Sequence, residues 1–442
     1  MDKKNPSDLL RRSLAAIWHP CSQMQHYEAH PPVAISRGEG AWLIDVSGRR
    51  YLDAISSWWV NLFGHSNPRI NAAIADQLGK IEHLMLAGFT HEPAVQLAER
   101  LSQRAAGLGH CFFASDGASA VEIALKMSFH YWANSGAPAK NRFISLRNSY
   151  HGETLGALSV GDTALFKQAY APLLRASAQL PTPDWRDAQA GETAPDFAER
   201  CAQALEHYLE QHHATTAAFI VEPLVQGAAG MAMYAPNYLA RAREICTRYD
   251  VHLIADEIAV GFGRSGTFFA CEQAAIRPDF LCLSKGISGG YLPLSVVLTS
   301  DAVYQAFYDA KASRGFLHSH SYSGNPLACR AALATLDIFD SDDVIHANRA
   351  KAEYMRRAIE RIAQLPHITH VRQTGMIAAL DVADAGADFS TRFAAAAMQR
   401  SVVLRPIGNS VYFMPPYVVS ESDIDFLVDA TIAALLEVRS AG

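Results

Sequence analysis

Three apolar runs of this 442-residue chain end in ionisable side chains: Phe219-Ile-Val-Glu222-Pro223, Leu253-Ile-Ala-Asp256-Glu257 and Leu281-Cys-Leu-Ser284-Lys285-Gly286. Short apolar runs closed by polar or turn residues read as buried strands. In an open α/β sheet, ligands bind beyond the carboxyl ends of the strands, so these are the residues to weigh for chemistry. A lysine desolvated at such an end has its pKa pulled below about 10.4, which frees a neutral amine to attack a carbonyl. A carboxylate such as Asp256, projecting into the same mouth, suits the task of keeping a pyridinium nitrogen protonated so that the ring draws electrons. Taken singly, Lys285 also reads as a solvated loop lysine and Asp256 as a helix cap. The pair, set among glycines, points to Schiff-base chemistry.

A phosphate needs backbone donors, and Ala114-Ser-Asp-Gly117-Ala118-Ser119 supplies them as a strand, a small-residue turn and a helix running through Lys126. Amides at a helix N-terminus carry partial positive charge and suit an anion, although Asp116 or Ser119 equally suits an ordinary cap. A second glycine pattern, Gly261-Phe-Gly263-Arg264-Ser-Gly266, matches the dinucleotide fingerprint of a nicotinamide-dependent dehydrogenase. Its context argues against that use: residues 256–260 separate it from the strand, and Thr267-Phe-Phe-Ala does not start a helix. His318 and His320 form an H-x-H pair without a third ligand placed by any motif, so no metal is expected. The seven cysteines include no C-x-x-C pair and are odd in number, which favours reduced thiols in a cytoplasmic protein over a disulfide framework.

Elements must hold these residues in place. From about residue 93 to 298, β-rich runs at 111–114, 142–146, 217–221, 251–255, 280–283 and 295–298 alternate with amphipathic helical stretches. The alternation predicts βαβ crossovers and a mainly parallel sheet flanked by helices. A helix over 7–18, two short strands around a turn in 40–53, a helix from Asn67-Pro68 towards Lys80 and a surface loop over 184–195 complete this part. After Asn325-Pro326 a long Ala/Leu helix leads into a smaller region with strands at 402–405 and 411–414. Half of the residues are hydrophobic and 19% charged, enough apolar material for a large core and two domains. The expected division is a segment 1–65 and a segment 335–442 sharing the small domain, with a large cofactor-binding domain at 66–334. Thirty-eight Lys and Arg against 44 Asp and Glu give a net charge of −6, which offers no footprint for nucleic acid or an anionic membrane. The apolar stretch 14–18 is too short for a signal-peptide core, and no uncharged stretch approaches the roughly 18 residues of a membrane helix.

The run Asp256-Glu-Ile-Ala-Val-Gly-Phe-Gly-Arg-Ser-Gly266, followed by Ser284-Lys285-Gly286 and Gly290, resembles the class III aminotransferases of the aspartate aminotransferase fold type, and the likeness spans nearly the whole chain. Trp18-His-Pro-Cys-Ser-Gln-Met24, Ser57-Trp58-Trp59, Tyr150-His-Gly-Glu-Thr154, Ser323-Gly-Asn-Pro-Leu-Ala328, Arg405-Pro406 and Tyr412-Phe-Met-Pro-Pro-Tyr417 resemble the branch that aminates 8-amino-7-oxononanoate in biotin biosynthesis. The resemblance implies pyridoxal 5'-phosphate as cofactor, bound to Lys285 as a Schiff base, with Asp256 at the pyridine nitrogen and Tyr150 stacked on the ring. It implies that Gly117 and Ala118 bind the phosphate, together with Ser321 and His320, and that Ser321 reaches across a homodimer interface to a shared active site. Trp58, Arg264, Tyr412 and Gly324 are implied to line the substrate pocket, and Arg405 to take the keto acid's carboxylate.

Four positions depart from the family pattern: Cys21 stands where it has Tyr, Ala118 where it has Ser, Glu153 where it has Asp and Ser321 where it has Thr. The last three retain a backbone amide, a carboxylate or a hydroxyl. Cys21 removes a phenol from the donor pocket, which leaves lysine beside S-adenosylmethionine as the expected amino donor. The rival readings are another ω-amino acid aminotransferase of the same class, the dehydrogenase built on residues 261–266, and a non-catalytic binding protein that would leave Lys285 and Asp256 without a task.

Overall fold

A computed structural model describes residues 6–440 and centres on a seven-stranded sheet. In spatial order the strands are His110–Ala114, Ser295–Thr299, Phe280–Leu283, His252–Asp256, Thr216–Val221, Arg142–Leu146 and Ala178–Leu180. All neighbours are parallel except Ser295–Thr299, which runs antiparallel to both partners. The chain enters that strand through a single 3-10 turn, Lys285–Ser288, and a short loop, which leaves no length for the crossover helix a parallel strand requires.

Thr216–Val221, His252–Asp256 and Phe280–Leu283 are buried at every residue, as expected where helices cover both faces. Successive side chains enter opposite cores. Phe219, Leu253 and Leu281 pack with the helices Ala194–His212, Asn237–Arg248 and Pro326–Ser341, whereas Ala218, Ile254 and Cys282 pack beneath the helix Gly117–Asn134.

The two ends of the chain meet in a four-stranded sheet of Ile35–Glu39, Trp42–Asp45, Arg50–Asp53 and Val402–Val403, the last strand parallel to its neighbour. Ile368–Thr374, Ile377–Val382 and Ser410–Phe413 form a three-stranded antiparallel sheet. The strand expected over 402–405 is only Val402–Val403, because its partner Arg50–Asp53 ends at Asp53, opposite Val403. Six strands lie outside the expected set: Ile35–Glu39, which is mostly exposed, Ala178–Leu180, a three-residue edge strand, the two-residue pair Val225–Gln226 and Ala232–Met233, and the antiparallel pair Ile368–Thr374 and Ile377–Val382. Segment 184–195 is more than a surface loop, since Asp184 is buried and Arg186 bridges it to Asp381. Thr193 then opens the helix Ala194–His212 with a reciprocal capping box to Asp196. No helix among the described residues is long and apolar enough to cross a membrane.

Candidate active site

Three adjacent strand ends deliver the floor of one cavity. Glu222 follows Thr216–Val221, Asp256 closes His252–Asp256, and Lys285 follows Phe280–Leu283 through Ser284. They line a cavity of about 340 Å³ together with Gly117, Ala118, Tyr150, His151 and Trp59. Burial pulls the Lys285 amine below its ordinary pKa, against the opposing charges of Asp256 and Glu222. Its Nζ makes no hydrogen bond or ion pair among the described residues and lies 4.9 Å from the centre of the Trp59 ring. Asp256 Oδ2 is 2.7 Å from His151 Nδ1, and its Oδ1 accepts from the Ile258 amide at 3.1 Å. Since a carboxylate only accepts, the imidazole hydrogen sits on Nδ1, while His151 Nε2 is buried with no partner among the described residues. Glu222 accepts from the amides of Tyr150 and Gly227, both at 3.0 Å. Burial, reinforced by Asp256 and opposed by His151, pushes its carboxyl up to about 7. Tyr150 is half-buried, donates to Glu153 Oε1 at 3.0 Å and meets Phe166 edge-on.

The helix Gly117–Asn134 starts at the rim of this floor. Asp116 caps it by accepting from the amide and hydroxyl of Ser119, both at 2.9 Å. The amides of Gly117 and Ala118 precede the first intrahelical acceptor and border the cavity. The walls leave little slack: a Cβ on Gly117 would stand 3.0 Å from Ile258, and one on Gly152 would stand 2.5 Å from the Ala118 methyl. First-turn amides for a phosphate, a buried carboxylate for a ring nitrogen and a desolvated amine for an aldehyde thus fit pyridoxal 5'-phosphate.

The mouth is built differently. Ser56–Trp59 forms a left-handed turn, with φ of 52°, 46°, 75° and 72° along its four residues. Trp59 N and Val60 N donate to the carbonyls of Ile55 and Ser56 at 2.8 and 3.0 Å. The turn sends its two indoles apart. Trp59 is buried beside Lys285 and donates through Nε1 to the Tyr412 hydroxyl at 3.1 Å. Trp58 is 44% exposed, and the Arg405 guanidinium stacks 4.4 Å from its ring centre while donating to the Cys21 carbonyl at 3.0 Å. Trp58, Arg405 and Cys21 therefore form an outer cluster, and Tyr412 backs Trp59 from the protein side.

Arg264 departs from the expected pocket position. It is fully buried and donates to the carbonyls of Pro415 and Asn61 at 2.6 and 2.8 Å, with Tyr417 beneath its guanidinium, so it ties chain segments together and lines no part of the cavity. The glycines at 261–266 form a turn around buried Phe262, and that turn aims the arginine inward. Trp58, Arg405 and Tyr412 of the expected substrate pocket, and Ser321, His320 and Gly324, also lie outside the lining of this chain's own cavity. Ser321 is exposed, His320 Nε2 is 2.9 Å from His318 Nε2, and the Gly324 carbonyl accepts from His91 at 2.8 Å. Among the described residues no group of three or more His, Cys, Asp or Glu is arranged to hold a metal ion. His151 and Trp59 are site residues that motif reading named only as neighbours of Tyr150 and Trp58. No signal in the chain joins His151 to Asp256, 105 positions away.

Residues 23–435 match the family model described as Aminotransferase class-III. The adenosylmethionine-8-amino-7-oxononanoate aminotransferase of Helicobacter pylori is 42% identical over 98% of both chains, and that of Geobacter sulfurreducens is 41% identical over 93% of this chain and 94% of its own. The crystal structure of the Methanocaldococcus jannaschii protein of the same name superposes with a TM-score of 0.92 at 35% identity, covering 98% of this chain and 99% of that one. An omega transaminase from Pseudomonas jessenii, solved in complex with PMP, gives 0.93 at 29% identity over 98% of both. The chain belongs to the class III aminotransferases.

Proposed function

We propose that the protein transfers an amino group to 8-amino-7-oxononanoate, giving 7,8-diaminononanoate, with pyridoxal 5'-phosphate as cofactor and S-adenosylmethionine as donor. The observation that carries this reading is the meeting of Lys285, Asp256 and the first-turn amides of Gly117 and Ala118 in one cavity, within a chain similar end to end to aminotransferases of that name. When bound, the cofactor supplies an electron-withdrawing ring that lets a proton leave the carbon carrying the amine. Lys285 accepts that proton at Nζ as a neutral amine and returns it at the neighbouring position. Asp256, oriented by His151, would be the partner of the ring nitrogen, and Tyr150 would cover the ring. Arg405 presents a forked guanidinium for the keto acid's carboxylate, and Trp58 flanks the aliphatic chain. Donor and acceptor use the site in turn, in two half-reactions.

The donor follows the names of the similar proteins, with lysine the alternative because Cys21 lacks a phenol. We also read the protein as a cytoplasmic homodimer in which Ser321, His320 and Gly324 of one protomer complete the partner's site. Support comes from their lying apart from this chain's own cavity, from the exposure of Met85, Phe89 and Tyr322, and from seven cysteines without a disulfide. The pairing of Val402–Val403 with Arg50–Asp53 supports 1–65 and 335–442 as one unit beside a cofactor-binding unit at 66–334; residues 1–5 and 441–442 lie outside the described residues.

The test follows the visible absorbance of the purified holoenzyme through each half-reaction. S-adenosylmethionine should bleach the band and 8-amino-7-oxononanoate should restore it. Bleaching by simple ω-amines, with no recovery on the oxononanoate, would instead support a general ω-transaminase, the reading favoured by the likeness to the Pseudomonas jessenii structure.

A further inference from the structure

Ser56, Ser57, Trp58 and Trp59 all hold positive φ although none is glycine, a conformation that L-residues avoid because Cβ crowds the following carbonyl. Strain of this kind persists only where its surroundings over-determine it, and it gathers at functional sites. The surroundings do so here. Buried Asp53 accepts from the Ser57 amide at 2.9 Å and from its hydroxyl at 2.8 Å, with His65 Nε2 3.0 Å from the same carboxylate. The Ser56 hydroxyl donates to the Met414 carbonyl at 2.7 Å. The indole of Trp59 is fixed in turn by Tyr412 at its nitrogen and by Gly227, where a Cβ would stand 2.9 Å from two ring carbons. Lys285 Nζ faces what remains of the ring, 4.9 Å from its centre.

We propose that the left-handed turn serves to seat the Trp59 ring against Lys285, where the ring face holds the lysine's ammonium form between proton transfers. This rests on the reading of Lys285 as the proton carrier. A buried amine that takes up a proton becomes a cation needing stabilisation. The charged and titratable groups that line the cavity with it are Asp256 and Glu222 from the adjacent strand ends, Tyr150, His151 and Glu153 from the loop after Arg142–Leu146, and Asp116 at the cap of the helix Gly117–Asn134. Asp256 is engaged by His151 and Glu222 by two amides, so neither makes an ion pair with the lysine. A carboxylate in contact would retain the proton. An aromatic face attracts the ammonium more weakly and has no comparable attraction for the neutral amine, so it stabilises the charged form without trapping it.

The experiment uses holoenzyme treated with amino donor, the form in which the reading leaves Lys285 free. Competitive acetylation with acetic anhydride across a pH series, read by peptide mass spectrometry, gives the lysine's pKa. Trp59→Leu should lower that pKa by about half to one and a half units, and Trp59→Phe, which keeps a weaker ring face, by less. The acid limb of the donor half-reaction should move to lower pH in parallel. Tyr412→Phe leaves the indole in place but frees its nitrogen, and should give a smaller shift in the same direction. A pKa that is unchanged or raised in Trp59→Leu, or that falls equally in the Phe and Leu variants, overturns the proposal. Retained turnover in Lys285→Ala would instead defeat the reading beneath it.

Discussion

The floor and the mouth of the cavity are built by opposite means. On the floor, regular parallel strands end side by side, and each places one ionisable group at a fixed depth: Glu222, Asp256 and Lys285. At the mouth, an irregular left-handed turn and two exposed residues from distant segments, Cys21 and Arg405, meet around Trp58. A sheet edge supplies charge that is buried and preorganised, suited to a reaction step common to every substrate. An exposed cluster supplies contacts that can differ between relatives, suited to choosing the substrate. Substitutions on the floor, or of the Trp59 ring seated against it, should therefore affect both half-reactions alike, and substitutions in the exposed cluster around Trp58 should split them.

The largest effect is expected from Lys285→Ala, which removes the proton carrier and should slow both half-reactions at least about 10²- to 10⁴-fold while the protein still retains cofactor on dialysis. Stopped-flow traces showing substantial turnover in either half would break the assignment of the floor. Asp256→Asn leaves the shape but removes the charge that His151 orients, and should slow both halves by about 10²- to 10³-fold without loss of folded protein by circular dichroism. Rates within a fewfold of the parent would move the ring-nitrogen partner elsewhere. Arg405→Ala tests the mouth. Losing a charge-assisted pair costs about 1.5–3 kcal/mol, or about ten- to a hundredfold, and this should appear in single-turnover rates with 8-amino-7-oxononanoate but not with the donor. Equal losses in both halves would erase the distinction between floor and mouth.

The smallest effect concerns pH and stability. The Glu222 carboxyl is held up to about 7 by burial, against 4.5 for an unburied glutamate, so the folded chain binds its proton more tightly than the unfolded one. Its contribution to stability is complete below pH 4.5 and lost as the pH rises through about 7. Glu222→Gln should flatten part of that decline, measured as denaturant midpoints on either side of the window. An unaltered slope would place the titration on another group, with Glu257, also buried and pushed up to about 7, the first to examine.

The floor was legible in the sequence because its elements obey periodic rules. Buried strands flanked by helices show as apolar runs, and the residue that closes each run must face the carboxyl edge. The mouth obeys no such rule. Positive φ is read from glycine, so four non-glycine residues in that conformation leave no trace in the chain, and motif reading named Trp58 without distinguishing the direction of Trp59. Arg264 was misplaced for a related reason. Its motif fixes a turn, but only the packing of Asn61, Pro415 and Tyr417 around it decides that the guanidinium faces the protein. The pairing of His151 with Asp256 joins two separate crossover units and carries no local signature.

The bonds that close the mouth also set an order in time. The clamp from Ser56 to Met414 joins residues 358 positions apart, and the Arg264 bond to Asn61 spans 203. As the chain leaves the ribosome, the floor has all of its strands once Thr299 has emerged, more than a hundred residues before Met414 exists. A nascent chain can thus hold a finished reaction floor while the turn that carries both tryptophans still lacks its final restraint. Late closure of this kind would leave the cavity open to the cofactor during synthesis and make the indole seats among the last parts of the molecule to become rigid.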